Sequence, residues 1–212
     1  PAGVPAGVRG EDPGPLPSPS AAEPSTAPHL PHTGTARTLV ILARFANQAP
    51  TTTAATWASA FFGGSDSVRD YYLDSSYGAL SITAAAESHG TANDGVVGWL
   101  SLARNHPNTG SLDSTSDYQN INGTVRDAVI AADPFVDFAT FDTNGNGHIE
   151  PRELHVVVIT AGFEASYSTA CGNTVWGHQW QVHYATPPTV DGKTVASHSG
   201  GGYYTMFGER HC

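Results

Sequence analysis

Between Phe141 and Phe163 the chain reads FDTNGNGHIEPRELHVVVITAGF, and this stretch narrows the possible folds more than any other. Oxygen-bearing side chains recur at alternate positions, Asp142, Asn144 and Asn146. Gly147 comes next, and Glu153 closes a twelve-residue frame. That is the spacing of a calcium loop: side-chain oxygens from positions 1, 3 and 5, a carbonyl from position 7, an often water-mediated ligand at position 9 and a bidentate carboxylate at position 12. Calcium is a hard cation that gathers six to eight oxygens, and the sixth position needs glycine because its backbone turns into a region that penalises a Cβ. The frame therefore predicts calcium held by Asp142, Asn144, Asn146, His148 through its backbone carbonyl, Glu150 and Glu153. A metal-free Asn-Gly surface turn is the alternative.

Beyond the frame the chain departs from a helix–loop–helix hand. HVVVIT is a β-branched run of strand length, so the loop is expected to feed a buried strand. Upstream, TLVILARF has the apolar content of another buried strand, starting a domain at Arg37. Trp57, Ala60 and Phe61 at helical spacing, stopped by Gly63-Gly64, predict a helix. SVRDYYLDSSYG predicts a second, capped by Ser67, with Asp70 in its first turn and Gly78 as its stop. Tyr71, Tyr72 and Tyr77 are expected to pack in the core. Leu80, Ile82 and Ala84 alternate as in a half-buried strand, and VVGWLSL reads as another short strand. A helix is predicted over 121–132, capped by Asn120 and ended by Asp133-Pro134. The last fifty residues read as loop-rich, with His178, His183, His198, Glu209 and His211 as further polar candidates. This order of elements predicts an α/β (α+β) layer with a mixed sheet.

Composition narrows the partners. The chain has 212 residues and a formal charge of −10, with Lys193 its single lysine, so no basic stripe exists to meet nucleic-acid phosphates. No apolar run reaches the roughly 18 residues of a membrane span. Residues 1–36 hold nine of the fifteen prolines among small polar residues and read as a disordered linker or propeptide remnant. The chain opens on Pro1 with no apolar signal segment, which predicts a processed start. Cys171 and Cys212 are the two cysteines, readable as free thiols or as a disulfide. A disulfide and a structural calcium together point outside the cytosol. Asn122-Gly123-Thr124 matches a glycosylation sequon, without meaning in a bacterial source. His198-Ser199 before Gly200 offers a third reading, a serine hydrolase, although no G-x-S-x-G elbow exists.

Several stretches together resemble the immune inhibitor A family of secreted bacterial zinc metallopeptidases: TLVILARF, SVRDYYLDSSYGALSI, VVGWL, DTNGNGHIEPRELHVVVITAGFEAS, WGHQW and TMFGERHC. The likeness covers about residues 37–212. It implies a zincin-like mixed twisted sheet with flanking helices and an inserted calcium loop, secretion, and cleavage of protein or peptide substrates. It also implies zinc in the parent protein, bound by a His-Glu-x-x-His helix whose glutamate activates the metal-bound water. No His-Glu-x-x-His occurs in these residues. On this reading residues 37–212 are the N-terminal part of a catalytic domain, incomplete at its C-terminus, without catalytic residues and inactive alone. A calcium-stabilised extracellular binding or structural module without chemistry is the alternative.

Overall fold

The computed structural model describes residues 33–212. Most of the expected Pro-rich leader, residues 1–32, lies outside the described residues, but its last part does not. Strand β1 spans Gly34–Arg44, so regular structure begins ahead of Arg37. Helices α1 (Ala54–Phe62) and α2 (Val68–Ser75) lead to β2 (Leu80–Ala84) and β3 (Val96–Ser101). Helix α3 (Thr115–Ala132) and two 3₁₀ turns (Asp133–Phe135 and Phe138–Phe141) precede the oxygen-rich frame. Within and after it come β4 (His148–Ile149) and β5 (His155–Glu164). The remainder carries β6 (Thr174–Val175), β7 (His178–Trp180), β8 (Thr189–Val190), β9 (Lys193–Val195) and β10 (Tyr204–His211).

The main sheet is mixed, in the order β2-β1-β5-β10-β7, with β3 also pairing β1 and β6 pairing β5. β1, β2, β5 and β10 run parallel, and β7 pairs antiparallel to β10. Parallel neighbours need crossover connections, and crossovers to opposite sides of a starting strand lay their helices on opposite faces. α1 and α2 cover one face, where Val40, Leu42, Val157 and Ile159 meet Phe61 and Trp57. α3 covers the other, where Leu39, Ile41, Val156, Val158 and Met206 meet Ile121, Val125 and Val129. Strand alternation distributes β1 and β5 between these two cores. Each of those fully covered branched side chains contributes about 1.5–3 kcal/mol of transfer free energy.

Three sequence expectations are corrected, and the sequon is accounted for. α3 starts six residues before 121 because Ser114, not Asn120, caps it. Ser114 and Asp117 form a reciprocal capping box with each other's backbone amides. Tyr71 and Tyr72 are 67% and 43% exposed, not core, because α2 lies at the margin of the sheet and buries none of its residues, and Tyr77, in the turn after α2, is 98% exposed. The Asn122 sequon is closed to modification: the side chain is fully buried, donating to Tyr204 Oη at 3.0 Å and accepting from the His183 and Tyr184 amides. The loop-rich tail also contains β10, which pairs with β5 along most of its length.

Candidate calcium loop

The frame is held at both ends by apolar anchors. Phe138 and Phe141 are buried before it, Ile149 at its eighth position and Leu154 just after it. Between them the backbone must curl tightly, and Gly147 does so at φ +82°, as its position in the frame requires. The curl turns amides inward onto the side-chain oxygens. Asp142 Oδ1 accepts from the Asn146 amide at 3.0 Å and Oδ2 from the Gly147 amide at 2.9 Å. Asn144 Oδ1 accepts from the same Asn146 amide at 2.9 Å, which brings the first and third positions of the frame together. Asn146 Oδ1 accepts from the His148 amide at 2.8 Å, and its Nδ2 donates to Glu150 Oε1 at 3.0 Å.

Glu153 is buried and turned back into the loop. Its Oε1 accepts from the Thr143 amide and hydroxyl, both at 2.8 Å, and from the Asn144 amide at 3.1 Å. Its Oε2 accepts from the Glu150 amide at 3.1 Å. The last carboxylate thus spans positions 2, 3 and 9 of the frame.

A second small sheet, β4-β9-β8, fixes the loop to the rest of the chain. His148 pairs Thr194, Ile149 pairs Val195, and the Thr194 amide donates to Gly147 O at 3.0 Å. This pairing brings in a residue that sequence reasoning misses. Lys193 Nζ donates to Asp142 Oδ2 at 2.7 Å, while the Asp142 side chain is 0% exposed. Nothing in the local sequence signals this pair, because 51 residues separate its members. The Lys193 ammonium and the loop amides hold the Asp142 carboxyl below the usual carboxylate range, against the opposing effect of burial. His148 contributes its backbone to the frame, while its imidazole lies against Gly200 with Nδ1 buried and unpaired.

The donor set fits calcium in kind. It is built of carboxylate, carboxamide and carbonyl oxygens, with no sulfur or imidazole nitrogen in the ligating positions. Asp142, Asn144, Asn146, the His148 carbonyl, Glu150 and Glu153 are the residues that would hold the ion. Bound there, calcium would supply charge neutralisation and cross-linking of the loop. Among the described residues no group of three or more His, Cys, Asp or Glu side chains is placed to hold a metal ion, the three carboxylates of the frame included, and no hydrolytic step is assigned to any side chain.

The histidines singled out by sequence are scattered. His178 sits between Trp176 O (2.7 Å) and Tyr204 Oη (3.0 Å), its pKa lowered by burial. His183 and His198 do meet, with ring centroids 4.4 Å apart, and His198 Nδ1 bonds Gln181 Oε1 at 2.7 Å. Ser199 Oγ bonds Ser197 Oγ at 3.0 Å, and no bond to His198 activates it. Glu209 is buried under the Thr51 and Thr52 amides, and His211 lies 3.6 Å from Glu164. Cys171 and Cys212 form a disulfide. Among the described residues no helix is long and apolar enough to cross a membrane.

One large concavity accompanies the loop. On the α1/α2 face, a groove of about 880 Å³ lies between Trp57, Phe61 and Tyr72 and the strand residues Ile82, His155 and Phe207. Pro151, the tenth residue of the frame, lines it as well. The groove is aromatic and apolar, with His155 and Thr205 bonded to each other at 2.9 Å on its floor. His155 Nδ1 is left buried without a partner. A scan against protein-family models matches none of them, and a search of curated proteins returns no match to this chain.

Proposed function

We propose that residues 37–212 are the scaffold part of a secreted zinc metalloendopeptidase catalytic domain of the immune inhibitor A kind, stabilised by calcium at Asp142–Glu153. The observation that carries this reading is the oxygen-only frame standing at the entrance of β5, a buried central strand. The motif likeness supplies the peptidase identity and the zincin-like fold. The disulfide fits an oxidising, extracellular setting. The groove fits as well, since it exposes apolar sheet surface beside β5 and β10 that an added helix would cover. In the parent protein, zinc would polarise the scissile carbonyl and lower the pKa of its bound water. The residues present here would supply sheet, calcium clamp and an edge strand, such as β7, for an extended substrate to pair with.

The test has two arms. The 212-residue chain, loaded with zinc and calcium, is expected to leave casein intact. A chain extended by the next fifty codons is expected to carry His-Glu-x-x-His and to cleave casein until zinc is chelated. Chelator-sensitive cleavage by the 212-residue chain, or an extension without that motif, sinks the reading. A calcium-stabilised binding module is the second reading. The exposed tyrosines 71, 72 and 77 favour it, because exposed aromatic side chains commonly mark contact surfaces.

A further inference from the structure

We propose that Lys193 is a tethered counter-cation of the loop, holding Asp142 in place when no ion is bound and lowering the loop's affinity for calcium. The inference rests on the calcium reading of the frame, and its test separates the two.

The ammonium is placed by the backbone. Lys193 opens β9, and the next residue, Thr194, pairs His148 and donates its amide to Gly147 O. With β9 registered on β4 in this way, the Lys193 side chain reaches Asp142 Oδ2 at 2.7 Å. The Asp142 side chain is covered although the residue as a whole is only half-buried, and the lysine side chain is 25% exposed. The loop's other cation, Arg152, is exposed. Asp142 Oδ2 is saturated by the Gly147 amide and the ammonium, whereas Oδ1 faces the Asn144 and Asn146 side of the loop.

Charge alone has two consequences here. Without calcium, the frame packs Asp142, Glu150 and Glu153 into twelve residues, and the ammonium offsets their mutual repulsion. With calcium, a divalent ion must either sit near a fixed positive charge or displace it from its carboxylate. Both routes cost free energy, so the lysine weakens binding. A loop tuned in this way belongs to the weak class of calcium sites, filled at extracellular but not cytosolic concentrations.

Calorimetric titration of the 212-residue chain with calcium chloride, alongside melting in chelator and in calcium, tests this. Lys193→Met is expected to bind calcium about tenfold more tightly, the order of effect from removing one charge a few ångströms from a divalent ion in a partly screened site. It should also melt below the wild type in chelator and converge with it in calcium. Lys193→Gln serves if the methionine variant misfolds, and Lys193→Arg, which keeps the charge, should bind as the wild type does. Unchanged or weaker calcium binding in the neutral variants overturns the proposal, since it would make the lysine a support of the bound state. Absence of calcium binding by the wild type overturns the calcium reading itself, and this inference with it.

Discussion

Asp142 gathers two loop amides and one ammonium on a single carboxylate, and this concentration of donors has a measurable signature. Its carboxyl lies below the ordinary value of 3.8, chiefly through Lys193. A group depressed in the folded state contributes stability above its unfolded pKa and loses it as pH falls through the folded one. Acid melting should therefore steepen below about pH 3.8, and Asp142→Asn should flatten that limb. Two buried histidines act in a different window. His106 and His155 are pushed from 6.5 to about 4 by burial, so the unfolded chain takes up protons before the folded one does. Stability from them is full above pH 6.5 and declines toward pH 4, and His155→Gln should reduce the slope of melting temperature against pH in that interval. Removing a frame carboxylate is the direct test of the metal. Calcium at a hundred times its Kd adds about 2.7 kcal/mol, or roughly 5–10 °C for a domain of this size. Asp142→Ala and Glu153→Ala should each abolish that rise, and a wild type that melts identically in calcium and chelator would reduce the loop to a turn. The clustering of Asp142 and Asn144 on the Asn146 amide is local, because a short loop imposes its own spacing. Lys193 is not, since a contact across 51 residues depends on the pairing of β4 with β9.

At the scale of elements, local signals work where the chain itself decides the outcome. β5 is legible from its unbroken β-branched run, and α1 from its spacing of Trp57 and Phe61. Asn120 reads wrongly as a cap because the apolar face of α3 begins at Ile121, whereas the helix is started by polar residues and the Ser114–Asp117 box. Ser114→Ala should cost about 1 kcal/mol in denaturant unfolding with no change in slope. β10 escapes a sequence reading because its glycine and its Glu209-Arg210 pair resemble a polar loop, and its strand form comes from pairing with β5. Gly208 is required there by close approach. A Cβ at this position would stand 2.3–2.5 Å from backbone atoms of Phe163 and Glu164. Those atoms belong to a central strand and cannot swing away, so Gly208→Ala should destabilise by about 1–3 kcal/mol. A wild-type denaturation midpoint for that variant would show that the two strands sit further apart.

For the molecule as a whole, the Cys171–Cys212 bond closes a loop over a sequence separation of 41, fastening the end of β10 to the segment before β6. In the chain-entropy picture this is worth about 4 kcal/mol, so reduction should lower the melting temperature by roughly 8–16 °C. The α/β layer with a mixed sheet is legible from the order of elements; the groove is not, because it exists only where residues from α1, α2, β1, β2, β5 and β10 converge. That groove shares a wall with the oxygen-rich frame. Pro151 is a member of both, four residues ahead of His155 on the groove floor. Whatever settles against those aromatic rings leans on the same short stretch of backbone that an ion would tighten. Linkage makes such an influence mutual: if loading one compartment eases loading of the other, the reverse holds by the same factor.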